Sequence, residues 1–182
     1  RLDSQILIAH VLGVRRLDIY LTPDRPLTAP ERDRLRELLV RRGKAEPVAY
    51  LVGRKEFFGF DFVVNRDVLI PRPETESIVD AALELLNASQ ASRTRQVADI
   101  GTGSGAIACV LAAKSSDIAV TATDTSAAAI EVAGTNARAL GVDHRISFVR
   151  TDILRDVIEP ESFDLIVSNP PYIALVERDI TD

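Results

Sequence analysis

From residue 96 to residue 168 the chain alternates short, β-branched runs with helical stretches, and this rhythm limits the possible folds more than any other feature. The runs are Gln96 to Ile100, Ile118 to Thr123, Arg145 to Val149 and Phe163 to Ser168. Ala106 to Ala113 and Ala127 to Leu140 are the helices among them, with Gly141 placed to end the second. Strands linked through helices pack side by side in one direction, so the pattern predicts an α/β fold on a parallel sheet. Ligands of such sheets bind beyond the carboxyl ends of the strands. The polar motifs fall there: Gly101 to Gly105, Asp124, Asp152 and Asn169.

The first part of the chain has a different period. Leu2, Ile6, Ala9, Leu12 and Leu17 recur at near-helical spacing, and Leu35, Leu38 and Leu39 do so again after Thr28-Ala29-Pro30-Glu31, which reads as a capping box. Residues 1–50 therefore read as a small helical domain. Gly43 and Pro47 break the helical pattern, and Glu56 to Val64 (EFFGFDFVV) is aromatic and β-branched with Gly59 as its turn, so residues 51–76 read as a β-hairpin linker. Residues 77–182 hold the α/β domain. Ile78 to Leu86 opens it as a helix, and Asn87 to Arg95 reads as a polar surface linker.

At 182 residues and 46% hydrophobic, the chain can bury the core of one domain or two small ones. It has no apolar run long enough to span a bilayer, and Arg1-Leu2-Asp3-Ser4 lacks a secretory pattern, so a cytoplasmic protein is expected. The single Cys109 cannot form an internal disulfide and reads as a small buried residue. The net charge of −5 hides a split: residues 1–60 carry 12 Lys or Arg against 8 Asp or Glu, and the remainder 10 against 19. An acidic α/β part matches a DNA backbone poorly, so no stable DNA binding is expected. The basic N-terminal lobe leaves RNA or an acidic protein surface as a contact, against the plainer reading of a solvated arginine-rich helix face. His10 and His144 stand apart from other ligand-type residues, and no metal site is expected.

Asn169-Pro170-Pro171-Tyr172 follows the last apolar run directly and offers hydrogen-bond acceptors with almost no donors. Neither proline has an N–H, and each restricts the residue before it, so the loop is stiff. Such a site suits a planar NH2 group. The Asn169 side-chain oxygen and the Pro170 carbonyl each accept one N–H, while the Tyr172 ring lies against the flat face of the same group. A carboxamide or amino nitrogen held in this way is oriented for attack on an electrophile.

Asp99-Ile100-Gly101-Thr102-Gly103-Ser104-Gly105 passes from a strand into a helix, where glycines permit a tight turn and let a ligand approach the backbone. Gly101, Gly103 and Ala106 also fit the dinucleotide fingerprint, and Asp124 stands where a ribose-binding acid is expected in either case. Glycine at every second position, together with the acceptor loop, favours S-adenosylmethionine over NAD.

These pieces together resemble one family, the release-factor glutamine methyltransferases of the PrmC or HemK type. The matching stretches are Tyr50-Leu51-Val52-Gly53, Glu56-Phe57-Phe58-Gly59, Val68-Leu69-Ile70-Pro71-Arg72-Pro73-Glu74-Thr75-Glu76, Asp99 to Gly105, and Asn169-Pro170-Pro171-Tyr172-Ile173. Asn-Pro-Pro-Tyr alone is shared with nucleic-acid amino methyltransferases; the Leu69-to-Glu76 stretch is the more specific. The resemblance implies a Rossmann-like methyltransferase domain with a seven-stranded sheet, preceded by a helical substrate-recognition domain and a hairpin linker. It implies methylation of the side-chain amide nitrogen of the glutamine in the Gly-Gly-Gln motif of peptide chain release factors, with S-adenosyl-L-methionine as donor and S-adenosyl-L-homocysteine as product. Gly101, Thr102, Gly103, Ser104 and Gly105 would then line the methionine and ribose part of the donor, and Asp124 would take the ribose hydroxyls. Ile153 stands where some relatives carry an aromatic residue near adenine. Asn169 would touch both donor and acceptor, with Pro170, Pro171 and Tyr172 completing the glutamine site and Asn169, Pro170 and Tyr172 serving catalysis.

Roles for Arg72, Glu74 and Glu76 stay open between closing over the donor's methionine end and shaping the entry to the helix at Ile78. A seven-stranded sheet needs more strands than follow Tyr172, and the first residues begin inside a helical pattern, so a fragment of a longer protein is expected. Methylation of an amino group on a flipped base is the alternative activity, and a nonenzymatic donor-binding or translation-associated module the third class.

Overall fold

The computed structural model describes residues 2–88, 93–153 and 162–170. Helices α1 (Leu2–Leu12), α2 (Ala29–Gly43) and α3 (Val48–Val52) pack around Leu7, Leu38 and Leu51, with Val11, Leu35, Val48 and Val52 at the edge of that cluster. Thr28 caps α2 reciprocally with Glu31, whose carboxylate accepts the Thr28 N–H at 2.8 Å. Three leucines depart from the periodic reading, and the first, Leu2, is exposed where α1 begins. α1 stops at Leu12, with Gly13 left-handed, so Leu17 lies beyond the helix and is exposed. Leu39 is also exposed, because three short helices cover only the narrow stripe centred on Leu38.

Strands β1 (Arg54–Phe57) and β2 (Phe60–Val63) form the expected hairpin, with Phe57 paired to Phe60 across a two-residue turn. Phe58 (φ 53°) and Gly59 (φ 80°) both take positive φ, as a turn matched to the twist of a hairpin demands. Phe58 has no glycine's freedom, and two carboxylates hold the turn in place. Glu76 accepts the Phe58 N–H at 2.9 Å, and Glu56 accepts that of Gly59 at 2.6 Å. The Phe57 and Phe62 rings meet edge to face at 6.1 Å and are buried in the main core with Val79 and Ala82.

The rest is strand and helix in turn: α4 (Glu76–Ala88), β3 (Arg95–Ile100), α5 (Ala106–Lys114), β4 (Ile118–Asp124), α6 (Ala127–Ala139), β5 (Ile146–Arg150) and β6 (Leu165–Ser168). Arg145 belongs to a short turn before β5, and Phe163 precedes β6. Arg95 is no part of a surface linker. It starts β3, is buried, and its guanidinium binds the Asp117 carboxylate at 2.6 Å and the Leu86 carbonyl. α5 is apolar all round, and every residue from Ala106 to Ala112 is buried between its neighbours.

The described strands of the main sheet run parallel in the order β5-β4-β3-β6. The chain leaves β3 on one side for β4 and β5, then returns on the other side as β6, so the order reverses at β3. A crevice at such a reversal is where open parallel sheets hold ligands. Register sharpens the point: Thr123 pairs with Ile100, and Ile100 with Ser168. Asp124, Gly101 and Asn169 are thus the next residues along three neighbouring strands. Among the described residues no helix is long and apolar enough to cross a membrane.

Candidate functional site

A cavity of about 460 Å³ opens at this end of the sheet, a size suited to a small organic ligand. Its floor is the turn after β3. Thr102 donates its N–H to the Thr123 carbonyl at 2.8 Å, and the Gly105 N–H returns to the Thr102 carbonyl at 2.8 Å, so the turn is pinned to β4 and to itself. Gly101 (φ 70°) and Gly103 (φ 54°) are left-handed, and no protein atom stands within 4 Å of where a Cβ would be on either. Both line the cavity, so this open space is room for a ligand against bare backbone.

Asp124 lies beside that turn with both carboxylate oxygens oriented: one accepts the Gly103 N–H at 2.9 Å and the other the Ser126 N–H at 2.9 Å. Each oxygen keeps a further lone pair, and the geometry suits a pair of vicinal hydroxyls. Asp99, one strand inward, is only 1% exposed. One of its oxygens accepts from the Thr102 hydroxyl at 2.7 Å and the Ala108 N–H at 3.2 Å, joining the turn to α5; the other is buried with no hydrogen-bond partner among the described residues. Burial pushes its pKa up to about 6, against the pull of the Thr102 and Ala108 hydrogen bonds and helped by the charge of Asp124.

The opposite wall comes from the linker. Asp67 through Arg72, and then Thr75, line the cavity. Val68 is buried with Val64, Ala129 and Val132, and its carbonyl accepts the Tyr50 hydroxyl at 2.7 Å. The Asn169 side chain reaches this wall: its Nδ2 donates to the Thr75 Oγ1 at 2.9 Å. The Ser168 hydroxyl donates to the Ile100 carbonyl at 2.9 Å and holds the end of β6 against that of β3.

Of the residues singled out from sequence, Gly101, Thr102, Gly103, Ser104, Asp124, Ile153 and Asn169 all line this cavity. Ile153 has φ 59°, a left-handed conformation that a β-branched residue rarely adopts, and is 56% exposed. Gly105 is not in the cavity wall. A Cβ on it would stand 2.9 Å from the Ala133 Cβ, so its lack of a side chain lets α5 and α6 approach. Pro170 is exposed and outside the lining; Pro171 and Tyr172 lie outside the described residues. Of the three residues whose roles stay open from sequence, Arg72 lines the cavity, Glu76 anchors the hairpin turn, and Glu74 stays on the surface, its carbonyl accepting the Ser77 hydroxyl at 2.7 Å. Thr75, part of the same proline-rich stretch, has no role assigned from sequence, although the prolines on either side of Arg72 mark a rigid segment.

Comparison with known proteins gives the chain's family. Residues 75–181 match the family model of the methyltransferase small domain, and residues 1–53 that of the PrmC N-terminal domain. The release factor glutamine methyltransferase of Nitratidesulfovibrio vulgaris is 47% identical over 97% of this chain and 59% of its own length. That of Chlorobaculum tepidum is 44% identical over 97% of this chain and 62% of its own. The chain therefore spans about three-fifths of the curated relatives it matches. Among solved structures, the N-terminal domain of human METTL16 in complex with S-adenosylhomocysteine superposes with a TM-score of 0.53 and 25% identity, covering 68% of this chain and 55% of that one. With over half of its residues matched by one family model, the chain belongs to the methyltransferase small domain family and, within it, is similar over nearly its whole length to the release factor glutamine methyltransferases.

Proposed function

We propose that the protein methylates the side-chain amide nitrogen of a release-factor glutamine, that of the Gly-Gly-Gln motif, with S-adenosyl-L-methionine as donor. The observation that carries the reading is the row of register that brings the glycine turn, Asp124 and the Asn169 amide into one cavity. The relatives at 47% and 44% identity bear the corresponding name. No specific observation favours a base amino group as acceptor. The cavity fits the donor on this structure's own terms: open space over Gly101 and Gly103, an oriented carboxylate at Asp124, and room for a nucleoside.

When bound, S-adenosyl-L-methionine supplies an electrophilic methyl carbon on a sulfonium. Gly101 to Ser104 pass around its methionine and ribose part, with Gly105 fixing the helix behind them, while Asp124 accepts the ribose hydroxyls and Ile153 packs on the adenine. The Asn169 side-chain oxygen and the Pro170 carbonyl accept the two protons of the glutamine NH2, with Pro171 and Tyr172 closing the site. An amide nitrogen is a poor nucleophile because its lone pair is shared with the carbonyl, so positioning does most of the work. Asn169 and Pro170 would have to bring the nitrogen within roughly 3 to 3.5 Å of the carbon it takes up. Held there, the glutamine nitrogen would take the methyl group that the donor supplies, leave S-adenosyl-L-homocysteine, and give one proton to solvent. Residues 1–50 serve substrate recognition, 51–76 link, and 77–182 carry the chemistry, in the cytoplasm and in support of translation termination.

Incubation with methyl-labelled donor and, separately, release factor, DNA and ribosomal RNA tests this. Label should appear on the release-factor glutamine and vanish when that glutamine is changed to alanine. Label on nucleic acid instead would move the activity to a base amino group, and label on none of them would overturn the enzyme reading.

A further inference from the structure

We propose that Thr75 is a positioning residue: its hydroxyl anchors the Asn169 amide at the cavity wall by its Nδ2 end, and so holds that amide where it can meet an NH2 group. This deepens the proposed function and rests on it. An asparagine amide is nearly symmetric in shape, with an oxygen that accepts on one side and an NH2 that donates on the other. Turned one way, Asn169 meets a substrate amide NH2 with an acceptor; turned the other, it sets donor against donor. Shape alone does not choose between the two. In this structure the Nδ2 end donates to the Thr75 Oγ1 at 2.9 Å, across 94 residues of sequence, and that bond holds the side chain against the linker wall.

Thr75 is itself held firmly. It is 7% exposed, lines the same cavity, and ends the short helical turn Pro73–Thr75, with its N–H on the Arg72 carbonyl at 3.0 Å. Pro71 is buried and Pro73 has a fixed φ, so the backbone has little freedom on the side before it. On the other side Glu76 is tied to the Phe58 N–H. The hydroxyl is thus delivered from a rigid segment of the linker to the end of β6. This gives the proline-rich stretch a task that neither loop shape nor helix entry explains.

Thr75→Val keeps the shape and removes the acceptor, and Thr75→Ser keeps the acceptor. In the full chain, Thr75→Val should lower kcat on release factor about 10- to 100-fold, the scale of a misplaced reacting group. Its affinity for S-adenosylhomocysteine should stay within about twofold of wild type, since the bond does not touch the nucleoside end. Thr75→Ser should restore most of the rate. An unchanged kcat in Thr75→Val, an equal loss in Thr75→Ser, or an equal loss of S-adenosylhomocysteine affinity would each overturn the assignment. A second readout needs no turnover: hydrogen exchange of the Asn169 side-chain NH2, identified in a nitrogen-15 spectrum by its disappearance in Asn169→Asp. Exchange should quicken about tenfold or more in Thr75→Val and not in Thr75→Ser, and equal exchange in all three proteins would again overturn it. Absence of transfer by the wild-type protein would count against the proposed function, whereas unaltered amide exchange counts against Thr75, so the two failures are told apart.

Discussion

Asp99 sits where water does not reach, yet among the described residues its neighbours supply hydrogen bonds to only one of its oxygens. With a folded pKa near 6 against an ordinary value of 3.8, the native state holds a proton that the unfolded chain releases first. The sign follows: Asp99's contribution to stability is lost as pH rises from 3.8 through about 6. Compared with wild type, Asp99→Asn should therefore gain in unfolding free energy across that window and level off above it. Urea denaturation at a series of pH values measures the difference, and a flat difference would mean an ordinary carboxylate. Asn169 belongs to the same scale. Asn169→Ala should cost roughly 2–4 kcal/mol of transition-state stabilisation, the size of one preorganised hydrogen-bonding group, with little effect on folding. Steady-state kcat on release factor reads it, and near-normal turnover would end the acceptor role. Asn169 was legible in sequence because prolines mark a stiff loop, and Asp124 because it ends a strand. Thr75 was not, since its partner lies 94 residues away and no local pattern records that bond.

Elements came through with their types intact and their ends shifted, and the shifts have local causes. β3 begins at Arg95 because the Arg95 N–H donates to the Asp117 carbonyl, which periodicity in a single segment does not reveal. The hairpin is a similar case. Gly59 was the visible turn signal, whereas the left-handed Phe58 depends on a carboxylate from α4. Gly105 shows how one position sets the spacing of two elements: its φ of 77° suits glycine, and α6 leaves no space for a side chain. Gly105→Ala should cost about 1–3 kcal/mol through overpacking, before the added backbone strain. A lowered urea midpoint at unchanged slope would check it, and an unaltered midpoint would mean that α5 and α6 part freely.

At the scale of the whole molecule, the split of charge was readable and the fastenings between lobes were not. Arg34, Arg36, Arg41 and Arg42 of α2 stand in ion pairs, with Glu37, Asp33, Glu46 and Asp3. Glu46 also meets Arg66 of the linker at 3.1 Å, and the Arg41 hydrogen bonds hold its pKa down at about 2. Tyr50 ties α3 to the cavity wall through the Val68 carbonyl. Tyr50→Phe should lower stability by about 0.5–1.5 kcal/mol, the net worth of one hydrogen bond, and weaken S-adenosylhomocysteine binding several-fold by loosening that wall. Calorimetric titration separates the outcomes, and unchanged binding would show that the wall stands without the helical lobe. Asn136 fastens most tightly of all. Its Oδ1 accepts the Val63 N–H at 2.8 Å, and its Nδ2 donates to the carbonyls of Val63 at 3.0 Å and Ser104 at 2.8 Å. With one amide riveted to both, hairpin and glycine turn travel as a single body, so a change at Asn136 alone would slacken the two together.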